Sequence, residues 1–167
     1  MLDFCGYGAM SCNWLIGQAA TSVIGMRANT DSHFGDCDDN AVMIVRYPKC
    51  MAVLEGSWTT PANTRPPGPE LYGSEGKVWS EMGKDGKVSV KIIDYMGKLT
   101  EIVAPQPEAH KKNITAAFVH HKQTGQPLPE FLDLDQNIQV LAILDAGIRS
   151  AKSNKLELVD SIVWGIG

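Results

Sequence analysis

Several things are missing from this sequence, and each absence excludes a class of function. No apolar run approaches the roughly 20 residues that a membrane-crossing helix needs, so no helical span is read in it. No basic excess is present. Lys and Arg number 15 against 19 Asp and Glu, a net charge of −4, which argues against a nucleic-acid binder. The start, Met1-Leu2-Asp3-Phe4, shows neither a basic segment nor a cleavage pattern, and no secretory leader is expected there. Paired cysteines are missing too. Cys5, Cys12, Cys37 and Cys50 form no C-x-x-C pair, so neither a disulfide framework nor a structural zinc is read, and free thiols in a reducing cytoplasm are expected. No Walker motif occurs. Gly6-Tyr7-Gly8 with Ser11 mimics a broken G-x-G-x-x-G, but no strand precedes it and the segment reads as helix, so a pyrophosphate would find no cradle.

What is present is the composition of one globular domain. In 167 residues, 44 % are hydrophobic and 20 % charged, enough apolar mass for a single core. Residues 2–17 read as a helix, with Phe4, Tyr7, Met10, Trp14 and Leu15 at helical spacing and Gly17 at the stop. Little chain precedes this helix, as though it began inside a larger unit. Strands are expected at 21–28, 41–47 and 50–58, the last two joined by a turn at Pro48-Lys49. Residues 59–69 hold four of the nine prolines and read as a surface loop. Short strands follow at 70–72, 77–82, 87–95 and 99–104, with glycine in the connections and antiparallel pairing implied. Helices are expected over 110–124 and 133–153, the second opened by a capping-box variant, Asp133 with Gln136, and carrying an Asp145–Arg149 pair. Residues 156–159 suit a last strand.

This order is α+β: helices packed on one face of an open, mostly antiparallel sheet. Residues 41–45 and 51–54 are apolar without alternation, so both faces of those strands should be covered. The helices can cover one. The other face is expected to be an oligomer interface, giving a homodimer or larger assembly.

Most chemistry-bearing residues have a bland reading. Asp36-Cys37-Asp38-Asp39-Asn40 could attract a hard cation but lacks the glycine and distal glutamate of a calcium loop, and solvated Asx turns at a strand entrance explain it better. His120 and His121 are adjacent on a helix and point apart, while His33 and His110 are distant, so no metal site is expected. Asn113-Ile114-Thr115 matches a glycosylation acceptor that a cytoplasmic chain would not use. Asp3 and Tyr7 differ. Four residues apart, they share a helix face; a phenol can give or take a proton and a carboxylate can hold a substrate hydroxyl, although spacing alone equally fits a packed tyrosine.

The string Leu2-Asp3-Phe4-Cys5-Gly6-Tyr7-Gly8-Ala9, followed by Trp14-Leu15-Ile16-Gly17, resembles the helix that opens the catalytic half of the Gfo/Idh/MocA oxidoreductase family. The resemblance continues through Asp38-Asp39-Asn40-Ala41, Val45-Arg46-Tyr47-Pro48, Leu54-Glu55-Gly56-Ser57-Trp58, Glu70-Leu71-Tyr72-Gly73, Ile143-Leu144-Asp145-Ala146 and Ser150-Ala151. The tyrosine form is similar to the branch with glucose–fructose oxidoreductase and dihydrodiol dehydrogenase. The resemblance implies a fold like the C-terminal domain of glyceraldehyde-3-phosphate dehydrogenase, with residues 1–167 forming one such domain, truncated at its N-terminus and without the Rossmann domain. It implies a sugar, polyol or diol substrate, NAD or NADP held by that absent domain, and Asp3 and Tyr7 as the catalytic pair. The family's Glu-Lys-Pro motif, whose lysine lowers the phenol's pKa, is not in these residues. The resulting expectation is the substrate-binding and oligomerisation domain of an NAD(P)-dependent oxidoreductase, inactive alone. The alternative is a non-catalytic assembly module that pairs with a separate cofactor-binding partner.

Overall fold

The structure is a computed structural model that describes residues 3–31, 33, 35–61, 68–83 and 86–160. The chain divides into two compact units, Met1–Thr60 with Ala117–Gly167, and Pro61–Ala116. The elements run α1 (Phe4–Ile16), β1 (Ser22–Ala28), β2 (Asn40–Arg46), β3 (Met51–Ser57), β4 (Glu70–Gly73), β5 (Gly76–Met82), β6 (Val88–Asp94), β7 (Leu99–Val103), α2 (Ile114–Thr124), α3 (Leu134–Ser153) and β8 (Glu157–Leu158). The α+β class read from the sequence is the one observed, with the strands distributed between two four-stranded antiparallel sheets.

In the first unit the sheet order is β3-β2-β1-β8. Val23 pairs with Val45, Gly25 with Met43, and Met43 in turn with Leu54, so these residues share one face. That face meets α1 and α3. Cys5 and Ala9 of α1, Ile143, Leu144 and Ala146 of α3, and Val23, Met43, Val45 and Leu54 of the sheet form the core with Tyr47. Small residues allow the close approach. A Cβ on Gly25 would stand 3.0 Å from the Gly147 carbonyl oxygen, and one on Gly8 3.1 Å from the Leu54 side chain. The helix α1 stops at Gly17, whose φ of 64° suits glycine and whose N–H donates to the Asn13 carbonyl at 2.9 Å.

Burial in β2 and β3 alternates although their hydrophobicity does not. Met43, Val45 and Leu54 are buried, whereas Ile44, Met51 and Val53 are exposed together with Ile24 and Met26 on β1. The expected cover for the second face is therefore not supplied by α1 and α3, which pack on the other side.

Two local expectations are corrected. The helix expected over 110–124 begins at Ile114, after a 3-10 turn at Ala109–Lys111. Asn113 ends the irregular stretch by accepting the Ala116 amide on its side chain at 2.8 Å, a standard N-cap arrangement. At α3 the capping box does not form. Asp133 makes no side-chain cap bond, and Gln136 Oε1 is buried without a partner; instead Asn137 Nδ2 donates to the Asp133 carbonyl at 2.7 Å. The Asp145–Arg149 pair is present at 2.8 Å, and Arg149 also reaches Glu157 at 2.7 Å and the Leu158 carbonyl at 2.9 Å, tying β8 to α3.

The second unit is the meander β4-β5-β6-β7. One face is polar: Lys77 contacts Glu70 at 2.9 Å and lies 5.1 Å and 4.9 Å from the Tyr72 and Trp79 ring centroids. Lys91 pairs with Glu81 on the same face. Strand alternation gives Leu71, Val78, Ile92 and Ile102 to the other.

Candidate active site

Asp3 is the residue immediately before α1. Its side chain makes no cap bond and, among the described residues, has no hydrogen-bond or ion-pair partner. Its carbonyl accepts the Gly6 amide at 3.0 Å, the first bond of the helix. Tyr7 follows one turn later with 71 % of its surface exposed, so its phenol is free of the core. Its main-chain oxygen accepts the Ser11 hydroxyl at 2.9 Å, which leaves the phenol uninvolved. No hydrogen bond joins Asp3 to Tyr7 among the described residues; what they share is the helix side and the opening turns of α1.

Asp3 lines a small cleft together with Phe4, Asp38, Asp39, Gly56 and Trp58; Tyr7 lies outside this lining. The cleft exists because β3 runs against the first turn of α1. A Cβ on Gly56 would fall 2.8 Å from Phe4 Cβ and 3.4 Å from the Cys5 amide, so only glycine permits the approach. Two residues later the Trp58 ring packs on Phe4, centroids 5.0 Å apart and tilted by 57°.

The acidic stretch at the entrance of β2 is structural, and Asp39 is not solvated as expected. It is buried, and its carboxylate accepts the Thr30 amide at 2.8 Å, the Asp31 amide at 2.8 Å, the Thr30 hydroxyl at 3.2 Å and Asn40 Nδ2 at 3.0 Å. Buried carboxylates survive when satisfied in this way. Asp38 pairs with Arg27 at 3.1 Å. Among the described residues no group of His, Cys, Asp and Glu is placed to hold a metal ion.

Near the other end of α1, Tyr47 is buried and its hydroxyl donates to Asn13 Oδ1 at 3.0 Å. Burial, with Cys12 and Cys50 nearby, pushes its phenol far above the ordinary range, so it is a fixed donor rather than an acid–base group. Tyr47 is thus packed and paired, whereas Tyr7 is exposed.

Among the described residues no dinucleotide cradle is formed. Gly6 and Gly8 lie inside α1, where Cβ atoms would meet Leu144 at 3.7 Å and Leu54 at 3.1 Å, so neither faces an open cradle. Every strand pairing among the described residues is antiparallel, which leaves no βαβ crevice.

Sequence reasoning named Asp3 and Tyr7 but left Trp58 and Asp39 without a role. The available signal for Trp58 was Gly56, a glycine inside an apolar strand, which marks close backbone approach.

Comparison with known proteins agrees with the sequence resemblance. Residues 1–79 match the family of the GFO/IDH/MocA C-terminal domain. Among solved structures, the aldose-aldose oxidoreductase from Caulobacter crescentus complexed with glycerol has a similar fold, with a TM-score of 0.73 and 16 % identity over 93 % of this chain and 46 % of that one. An NAD binding oxidoreductase from Klebsiella pneumoniae gives a TM-score of 0.69 and 14 % identity over 95 % of this chain and 50 % of that one. GenD2 from gentamicin A biosynthesis, in complex with NAD, gives 0.56 and 16 % over 95 % and 47 %. The chain therefore spans about half the length of the structures it resembles. No curated protein sequence matches it.

Proposed function

We propose that this chain is the substrate-binding and oligomerisation domain of an NAD(P)-dependent oxidoreductase that acts on a hydroxyl of a sugar, polyol or diol. The observation that carries this reading is the pairing of an unpartnered carboxylate, Asp3, with an exposed phenol, Tyr7, one turn apart at the open end of α1. Because these residues do not fit a dinucleotide, the nicotinamide belongs to a Rossmann domain beyond them, and that group would supply the redox chemistry.

The chain's own contribution is to the proton and to position. Asp3 accepts a hydrogen bond from a substrate hydroxyl and fixes its orientation. Tyr7 exchanges the proton of the reacting hydroxyl, which avoids an unassisted alkoxide. A free phenol titrates near 10, so a cation beside Tyr7 is required for it to act as a base at neutral pH. The residue set of the cleft contains no such cation, and the cofactor domain is the expected source.

Assembly is the other half of the proposal. Ile24, Met26, Ile44, Met51 and Val53 make a contiguous exposed apolar face on β1–β3, and the proposed oligomer buries it. Titration calorimetry of this chain with NADH is expected to show no binding; tight binding would overturn the division of labour. In an enzyme that contains both halves, Tyr7→Phe is expected to lower kcat by about 10²–10⁴-fold. Near-normal turnover removes the catalytic role of Tyr7.

A further inference from the structure

Trp58 is held firmly and left uncovered. Its amide donates to the Asp39 carbonyl at 2.8 Å. The turn that follows is closed by the Thr59 and Thr60 amides, which donate to Ser57 Oγ at 3.2 and 3.1 Å, and by Asn40 Nδ2, which donates to Thr59 Oγ1 at 3.1 Å. The ring leans on Phe4, yet 66 % of the residue remains exposed. A tryptophan whose main chain is fixed in this way and whose ring rests on Phe4 exposes an aromatic surface beside a polar recess.

The recess decides what that surface can meet. The cleft under Trp58 has room for about one water molecule. Of its three carboxylates, Asp39 is occupied by four donors and Asp38 by Arg27, while Asp3 has no partner among the described residues. A hard cation would need several free carboxylates, so the remaining acceptor suits a neutral hydroxyl.

We infer that Trp58 is a specificity-determining platform for a cyclic sugar: the C–H face of a pyranose lies on the exposed indole while one hydroxyl enters the recess and donates to Asp3. The inference rests on the hydroxyl-substrate reading of Asp3 and adds the selection of ring over open chain. The axial C–H groups of a pyranose form an apolar face, slightly positive, that complements the negative face of an aromatic ring. An acyclic polyol has no such face and must lose internal rotations to imitate one.

The test uses the chain labelled with nitrogen-15 and two probes that undergo no reaction, methyl β-D-glucopyranoside and glycerol. The indole N–H signal that Trp58→Phe removes is expected to shift with the pyranoside, and the pyranoside to bind about tenfold more tightly than glycerol. Trp58→Leu is expected to weaken pyranoside binding about tenfold, and Trp58→Phe to retain it. Asp3→Ala, which breaks no bond of the fold, is expected to weaken it too and serves if Trp58→Leu does not fold. An unmoved Trp58 signal, an equal response to glycerol, or undiminished binding by Trp58→Leu or Asp3→Ala overturns the inference. The two readings separate cleanly. Pyranoside binding at Trp58 alongside normal turnover by Tyr7→Phe removes the catalytic reading and keeps the platform. Tyr7-dependent turnover of an acyclic diol without pyranoside binding does the reverse.

Discussion

The buried hydroxyl of Ser150 accepts the Gly25 amide at 3.0 Å and donates to the Lys155 carbonyl, joining α3 to β1. Among the described residues the β8 ladder on β1 covers Ser22 and Val23 and stops before Gly25, where the Ser150 side chain of α3 supplies the acceptor. Ser150→Ala is expected to leave a buried N–H unpaired and to cost about 1–3 kcal/mol, read from urea unfolding. Unchanged stability would show that the amide finds water.

Gly56 sets the distance between β3 and the first turn of α1. Gly56→Ala is expected to cost about 1–3 kcal/mol, because the nearest neighbour, Phe4 Cβ at 2.8 Å, cannot swing aside without moving the backbone. The same change should displace Phe4 and alter the Trp58 indole resonance. A stable variant with an unaltered indole signal would contradict this packing.

Asp39→Ala removes an acceptor that serves two amides, a hydroxyl and a side-chain amide. Hydrogen bonds to charged groups are worth about 1.5–3 kcal/mol each in mutational series, and the loss here is expected at the upper end or beyond. Proteolysis between Ala28 and Asn40 should accelerate with it, which limited digestion and mass spectrometry would detect.

Replacing Ile44 with a charged residue tests the open face. Wild-type chain is expected to scatter light as a dimer or larger species, and Ile44→Glu as a monomer with an unchanged circular dichroism spectrum. A wild-type monomer at high concentration would remove the assembly half of the proposed function.

The Glu70–Lys77 pair predicts the pH response of the meander. The Tyr72 hydroxyl and Lys77 hold the Glu70 carboxyl below its ordinary 4.5, and Glu70 raises Lys77 above its ordinary 10.5. The contribution of Glu70 is thus complete above 4.5 and lost as pH falls below it, while that of Lys77 is complete below 10.5 and lost as pH rises above it. The Trp79 ring signal should stay constant through neutral pH and move as pH falls below 4.5 or rises above 10.5. Titration near neutral pH would contradict the pairing.

Local order was legible where one residue type dictates one geometry. Gly17 marked the end of α1 because a left-handed cap favours glycine, and the four-residue spacing of Asp145 and Arg149 gave their ion pair. The start of α2 was misplaced because no glycine or proline marks a break between His110 and Ile114, while the cap that decides the boundary is the side chain of Asn113. Asp133 and Gln136 have the right spacing for a capping box, but spacing does not fix χ angles, and Asn137 took the Asp133 carbonyl instead.

The sequence by itself determined the α+β class and the four-residue spacing that sets Asp3 and Tyr7 at the opening of the first helix. Each of these follows from periodicity or residue type within a short window. Tertiary structure decided which tyrosine is exposed and which is buried, that Asp39 is a buried clamp, and that Trp58 and Asp3 line one cleft. Those outcomes depend on contacts between segments far apart in the chain, such as Gly56 against Phe4, and no local pattern encodes how closely two backbones approach.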